Sequence, residues 1–401
     1  MNDEFATNAV HAGEGKGKPY GAVTMPIVQT STYSFADTQE IVDFLEKKEA
    51  GNPNRRDEYG RYSNPTQTAA EQKIAALEGG ECALLFATGM SAITTVFLTL
   101  LSQGDHIVIA SSTYRQTRNF VLDYLSRWGI EATFLTDGCV QELEQALRPN
   151  TKLIFCEAPT NPYLRVIDLN HVSKVARQHG IPTTIDSTFA TPVNLRPLEH
   201  GIDLVIHSAT KYLGGHNDLL AGVVVGSLSQ LADIETLRGE LGGVGSPHDA
   251  YLLLRGLKTL DLRVRRQNDT GQRIADYLSR HPRIRAVHYP GLESHPDHAV
   301  AVRQMAGFGG VVSFEIDGDR DQTSQVIDRL RIPYIGPTFG GVESIAQQQA
   351  LFISLDPEER VASGISDCLI RYAAGIEDPE DLIADLDQAF DESAAREARR
   401  R

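Results

Sequence analysis

A lysine closes the run Leu204-Val205-Ile206-His207-Ser208-Ala209-Thr210-Lys211. The run is β-rich up to His207, so Ser208, Thr210 and Lys211 stand where a strand gives way to a loop. A lysine amine can form a Schiff base with an aldehyde, and the two hydroxyls can hydrogen-bond a phosphate. A second short β-rich run, Thr183–Ile185, is followed by Asp186, and an acid there can hold a pyridinium N–H. The run Cys82–Ala87 leads into Thr88-Gly89-Met90-Ser91 and a helical pattern. Glycine permits close backbone approach, and the free N–H groups of a helix start attract a phosphate. Taken singly, each feature has a plainer explanation: a surface lysine, a metal ligand or turn cap, a packing turn. Together they form the partner set that pyridoxal 5'-phosphate requires, because a protonated ring nitrogen makes that ring an electron sink. Neither GxxxxGK[ST] nor GxGxxG occurs, so a nucleotide loop is not supported.

These residues need a frame that brings strand ends together. From Thr66 the chain alternates β-rich runs with helical ones. Strands are expected at Cys82–Ala87, His106–Ala110, Ala132–Leu135, Leu153–Cys156, Thr183–Ile185, Leu204–His207 and Gly222–Val225, with helices such as Thr66–Leu77, Asn119–Arg127 and Asn170–His179 between many of them. Such alternation predicts a mostly parallel sheet covered by helices on both faces, with ligands beyond the carboxyl ends of its strands. After about Leu257 the texture changes to a long polar helix (Lys258–Arg280) and strands near Ala286–Tyr289, Val311–Ile316 and Leu369–Ala373. The expected organisation is an extended N-terminal arm (1–62), a cofactor domain (63–256) and a smaller C-terminal α/β domain (257–401). The tail ESAAREARRR is expected to be a frayed, solvated helix end.

The chain has 401 residues, of which 41% are hydrophobic and 23% charged. That is enough to bury a large core without disulfides or metals. Against 38 Lys and Arg stand 53 Asp and Glu, a net charge of −15, which argues against nucleic-acid or anionic-membrane partners and for a cytoplasmic protein. Cys82, Cys139, Cys156 and Cys368 form no CxxC pair, hence neither a disulfide framework nor a zinc site. The polar, acidic start MNDEFATNAVHAGEG does not read as a targeting peptide. The uncharged stretch Cys82–Gly104 is long enough to span a bilayer, but its Thr, Ser and Gly-Met-Ser content reads as a buried strand, turn and helix.

The sequence resembles the cystathionine γ-synthase group of the Cys/Met-metabolism PLP enzymes, which have the type I aminotransferase-like fold. The resemblance is carried by YGRYSNPT (59–66), LFATGMSAI (85–93), EAPTNPYLRVIDL (157–169), IDSTFATP (185–192), HSATKYLGGHNDLLAGVVVG (207–226), GFGGVVSFEIDGD (307–319), FGGVESI (339–345) and LIRYAAGIEDPEDLIADL (369–386). Within the group, YGRYSNPT, YRQTRNF and IPYIGPTFGGVES look most like plant-type synthases. By position, the resemblance implies that Lys211 is the Schiff-base lysine and proton shuttle, that Asp186 pairs the ring nitrogen, and that Gly89, Met90, Ser208 and Thr210 hold the phosphate. It implies that Tyr114 stacks on the ring and acts as a base, Asn161 bonds the ring hydroxyl, and Arg371 clamps the substrate carboxylate. Without it, Tyr114 reads as a helix-start aromatic, Asn161 as a turn residue, and Arg371 as a strand arginine paired with Glu377 or Asp378. Ser344 resembles the serine that tethers the catalytic lysine, and Glu343 matches the synthase and cystathionine γ-lyase pattern. Tyr59 and Arg61 match a pair that reaches a neighbouring subunit's phosphate, implying a homo-oligomer, at least a dimer and usually a dimer of dimers. The implied activity is γ-replacement on an activated homoserine by cysteine, with a γ-lyase as the alternative. Two departures, Gln116 in place of a usual lysine and the entrance stretch Leu351–Leu355, bear on which substrates are used.

Overall fold

The uncharged stretch Cys82–Gly104 folds as a strand followed by the helix Gly89–Leu100. Ala92, Ile93, Val96 and Phe97 of that helix are buried. Its threonines sit in an apolar setting because their hydroxyls donate back to carbonyls four residues earlier: Thr94 to Met90 (2.8 Å), Thr95 to Ser91 (2.7 Å) and Thr99 to Thr95 (2.8 Å). Such bonds satisfy hydroxyls that water would otherwise serve. In this computed structural model, which describes residues 4–50, 56–362 and 364–391, no helix among the described residues is long and apolar enough to cross a membrane. The tail ESAAREARRR lies outside the described residues.

Seven strands form the first sheet: β1 (Cys82–Phe86), β2 (His106–Ile109), β3 (Glu131–Phe134), β4 (Thr151–Glu157), β5 (Thr183–Asp186), β6 (Leu204–His207) and β7 (Gly222–Gly226). Their order is β1-β7-β6-β5-β4-β2-β3. The pairs from β6 through β5, β4 and β2 to β3 are all parallel. β7 runs against both neighbours, β6 and β1. The sheet is thus mostly parallel, as the alternating pattern predicts, with one reversed strand that the pattern does not reveal. Its faces are covered by two apolar clusters, one built on Leu85, Ile154, Ile185 and Val223, the other on Phe86, Ile107, Phe155 and Val224.

Five strands form the second sheet: β8 (Ile284–His288), β9 (Val311–Ile316), β10 (Tyr334–Ile335), β11 (Ile345–Gln348) and β12 (Leu369–Ala373). Their order is β10-β11-β12-β9-β8, with only the β10–β11 pair parallel. β10 and β11 are not evident in the sequence. The expected long helix appears as Leu260–Leu278, directly after the helix Pro247–Leu257.

The first 60 residues differ from a wholly extended arm. They contain the helices Phe5–His11 and Thr38–Glu49, and Phe5 and Ala9 are buried in the core. Lys73, fully buried, anchors the first helix by donating to the carbonyls of Ala9 (3.0 Å) and Val10 (2.9 Å) and pairing with Glu14 (3.1 Å). A buried ammonium is tolerated only with such partners.

Candidate active site

The carboxyl ends of β4, β5 and β6 open on a cavity of ≈ 230 Å³ lined by Gly89, Met90, Tyr114, Asn161, Asp186, Ser208, Thr210, Lys211 and Arg371. Nine of the sequence-predicted residues are therefore brought together. Thr88 caps the helix after β1, its hydroxyl accepting from Ser91 N–H at 3.0 Å. The backbone is crowded here: a Cβ on Gly89 would lie 3.0 Å from the Cβ of Ser208, and one on Gly222 of β7 would lie 2.2 Å from the Thr88 carbonyl oxygen. A side chain at either glycine would press on the helix start where a phosphate would rest.

Asp186 is buried at the end of β5. Its Oδ1 accepts from Thr188 twice, from the N–H at 3.0 Å and the hydroxyl at 2.5 Å. That hydroxyl in turn accepts from Ser208 N–H at 2.8 Å, which links the ends of β5 and β6. No donor among the described residues bonds Oδ2. Burial raises the Asp186 pKa above its ordinary value, against the Thr188 hydrogen bonds, so the charged form awaits a cation.

Lys211 Nζ donates to Thr338 Oγ1 at 2.7 Å and lies 5.3 Å from the ring centroid of Phe339. Burial first, and the Arg371 charge second, bring its pKa down from 10.5 to about 8. Phe339 stacks on Phe189 with centroids 4.1 Å apart, and the Arg371 guanidinium lies 5.3 Å from the same Phe339 centroid. Arg371, on β12, donates to Asn161 Oδ1 (3.1 Å), Gln347 Oε1 (2.7 Å) and the Thr338 carbonyl (3.2 Å). Gln347 faces it across the β11–β12 register. Arg371 Nε is buried without a partner among the described residues, and burial brings the guanidinium pKa down to about 10. Arg371 therefore does not pair with Glu377 or Asp378, and its guanidinium lines the cavity with no carboxylate bonded to it.

These features fit pyridoxal 5'-phosphate: a glycine-lined helix start beside two hydroxyls, a buried acid with one free oxygen, a weakly basic lysine, and an orphaned arginine donor. Tyr114 begins the helix Arg115–Phe120 and is about 44% exposed, leaving its ring free to cover a ligand.

Four sequence-predicted residues lie outside the cavity lining. Ser344 is fully buried, donating to Glu377 Oε2 (2.9 Å) and accepting from Gly375 N–H (2.9 Å). The hydroxyl that Lys211 meets is that of Thr338, whereas Ser344 bonds Glu377 and Gly375, 33 and 31 residues further along the chain. Glu343 accepts from Asn217 Nδ2 at 2.9 Å. Tyr59 is exposed, and Arg61 lies over the rings of Tyr59 and Tyr62 and donates to the Gly239 carbonyl. Sequence reasoning missed Glu157, Thr188, Phe189, Thr338, Phe339 and Gln347. The signal for Thr188 was its place two residues after Asp186; Thr338 and Gln347 gave none without β10 and β11.

A larger hollow of ≈ 680 Å³ is lined by Tyr163, Arg165, Arg285 and His288 among others. Its arginines are already paired, Arg165 with Asp297 and Arg285 with Glu315, which leaves little for an anion to bind.

Comparison with known proteins agrees with the geometry. The family model described as Cys/Met metabolism PLP-dependent enzyme matches residues 6–391. The chain is 50% identical to the chloroplastic cystathionine gamma-synthase 1 of Nicotiana tabacum over 388 residues, covering 96% of this chain and 71% of that one. It is 40% identical to the L-methionine gamma-lyase of Pseudomonas putida, covering 97% and 98%. The crystal structure of metB from Corynebacterium glutamicum superposes with a TM-score of 0.88 at 35% identity, covering 96% of this chain and 97% of that one.

Proposed function

The chain belongs to the Cys/Met metabolism PLP-dependent enzymes, and on that premise we propose that it catalyses γ-replacement on an activated homoserine ester, with cysteine as nucleophile and cystathionine as product. The observation that carries the chemistry is the meeting of Lys211, Asp186 and Arg371 in one cavity. The greater identity to a synthase than to a lyase supports replacement over elimination.

In this reading Lys211 would hold the cofactor covalently through Nζ and Asp186 would hold its ring nitrogen. Gly89, Met90, Ser208 and Thr210 would hold its phosphate, Tyr114 would cover the ring, and Asn161 would bond the ring hydroxyl. Bound there, the cofactor supplies an electron sink for charge developing at Cα. Arg371 anchors the substrate α-carboxylate with its planar fork. Freed for general-base work, Lys211 Nζ would take the Cα proton and, only after giving that proton up, would be neutral again to take one from Cβ. A base poised near the working pH suits both. Thr338 keeps Nζ from swinging away, while Phe339 and Phe189 wall off water on one side. Tyr114 assists proton transfer at the amine.

Arg61 and Tyr59 do not line their own cavity, and their exposed ring–guanidinium cluster supports a homo-oligomer in which they reach a neighbour's phosphate, as a dimer or a dimer of dimers. The two sheets and the break between the helices Pro247–Leu257 and Leu260–Leu278 support a division near residue 257, in keeping with an arm of 1–62, a cofactor domain of 63–256 and a C-terminal domain of 257–401. Four free cysteines support a cytoplasmic setting. A γ-lyase reading is favoured by one observation: the entrance stretch Leu351–Leu355 exposes Leu351, Phe352 and Leu355, a surface suited to an apolar γ-substituent.

The test offers O-succinyl-, O-acetyl- and O-phosphohomoserine, cystathionine and methionine, each with and without cysteine. Cystathionine formed from a homoserine ester supports the proposal. 2-Oxobutanoate released fastest without thiol refutes it in favour of the lyase.

A further inference from the structure

Glu157 ends β4 beside Asp186: the two are register partners on adjacent parallel strands, and both line the cavity. Glu157 is 3% exposed. Its Oε2 accepts from the Tyr114 N–H at 2.7 Å, and its carboxyl also accepts from the Asn161 N–H. The Glu157 backbone is itself fixed, because Ser111 Oγ accepts from its N–H (3.0 Å) and donates to its carbonyl (3.2 Å). One side chain thus holds the main chain at Tyr114 and Asn161, which flank the ring position. No lysine or arginine among the described residues pairs with it. Two buried carboxyls in register repel when both are charged, and the ring nitrogen offers a single cationic partner, which Asp186 takes. Burial and the Asp186 charge both push the Glu157 pKa up, in keeping with that division.

We propose that Glu157 is a positioning residue that ties the two flanks of the ring slot, Tyr114 and Asn161, to one carboxyl. It touches neither substrate nor ring and acts through the two residues it holds. The proposal rests on the reading of this cavity as the pyridoxal 5'-phosphate site.

The test titrates full-length apoprotein with pyridoxal 5'-phosphate, reading the visible circular dichroism of the bound cofactor and the half-saturating concentration. Glu157→Gln keeps a neutral group with an acceptor oxygen, so at least half of the band should persist and half-saturation should rise no more than about threefold. Glu157→Leu fills similar space with no acceptor and leaves two N–H groups without a partner. Its band should fall at least fivefold and half-saturation rise about tenfold or more. If far-UV circular dichroism shows the Leu variant unfolded, Glu157→Asp replaces it; the shorter carboxyl withdraws from both N–H groups, and the same loss of band is expected. Retention of band and half-saturation in the Leu variant, or in the Asp variant when it stands in, overturns the proposal. So does loss in the Gln variant equal to that in the Leu variant, which would require a charged carboxylate. Wild-type protein that shows no band and no borohydride-fixed label on Lys211 would instead overturn the cofactor site, and this proposal with it.

Discussion

Replacing Arg371 by glutamine should make Lys211 more basic, by an amount bounded on both sides. Two causes lower the lysine pKa from 10.5 to about 8, burial first and the Arg371 charge second. The variant removes only the second, so the apparent pKa should rise above 8 and stay below 10.5. At pH 7 the lowered value leaves about one amine in ten neutral, roughly 300-fold more than an unperturbed lysine would. Part of that gain disappears in Arg371→Gln. Competitive acetylation of the apoprotein with acetic anhydride between pH 6 and 11 reads the neutral fraction directly, with the Lys211 peptide compared by mass spectrometry against exposed Lys152. Below its pKa, labelling should climb tenfold per pH unit and then level off. The unfolded chain keeps this proton up to about pH 10.5, whereas the folded site loses it above about 8. Hence Lys211 makes apoprotein stability rise with pH between those values, by at most on the order of 3 kcal/mol. A Lys211 profile coincident with that of Lys152 would refute the burial argument; an unchanged profile in Arg371→Gln would refute the charge argument.

Other perturbations separate holding from chemistry. Asp186→Asn removes the carboxylate that would hold the ring N–H, so half-saturation by pyridoxal 5'-phosphate should rise roughly 10- to 100-fold, the worth of a charge-assisted hydrogen bond; a titration unchanged from wild type would count against the assignment. Gln347→Leu strips Arg371 of its 2.7 Å acceptor, and KM for the amino acid should rise about tenfold with a smaller change in kcat; a change confined to kcat would show that Gln347 does not serve carboxylate binding. Lys73→Met leaves Glu14 buried with Lys258 and Lys18 as its remaining partners and frees the carbonyls of Ala9 and Val10. Loss of one partner of a buried pair costs about 3–5 kcal/mol, measured by urea unfolding, and a cost under about 1 kcal/mol would show that the first helix is not anchored there.

The first sheet was legible because its strands are short apolar runs between helical patterns. Leu204–His207 of that sheet, like Val311–Ile316 and Leu369–Ala373 of the second, stands where its composition puts it. The reversal of β7 was not legible, since a fully buried strand such as Gly222–Gly226 has the same composition in either direction. β11 was hidden by its polarity: Ile-Ala-Gln-Gln is buried only because Gln347 meets Arg371, while Gln348 donates to the carbonyls of Arg320 and Asp367. Those partners are distant in sequence, and no local pattern announces them. The site divides along the same line. Lys211 and Asp186 were readable from strand ends, but Thr338 reaches Lys211 only through packing of the second sheet. Ser344 shows the converse, a hydroxyl bonded to Glu377 and Gly375, which no local pattern places beside it. Glu157 was passed over because an acid closing an apolar strand looks like a surface end until the adjacent strand places Asp186 beside it.

The hydrogen bond from Lys211 to Thr338 spans 127 residues of chain, which imposes an order in time. A ribosome adding about 5–20 residues per second takes roughly 6–25 s to cover that gap. During this interval the nascent chain carries the lysine, the aspartate and the glycine-lined helix start without Phe339, Gln347 or Arg371. An amine left in water keeps its ordinary basicity, so it captures an aldehyde poorly. If Lys211 holds the cofactor as proposed, efficient covalent loading would be reserved for chains whose synthesis has passed β12, and colour in a newly made protein would report that the second sheet has docked.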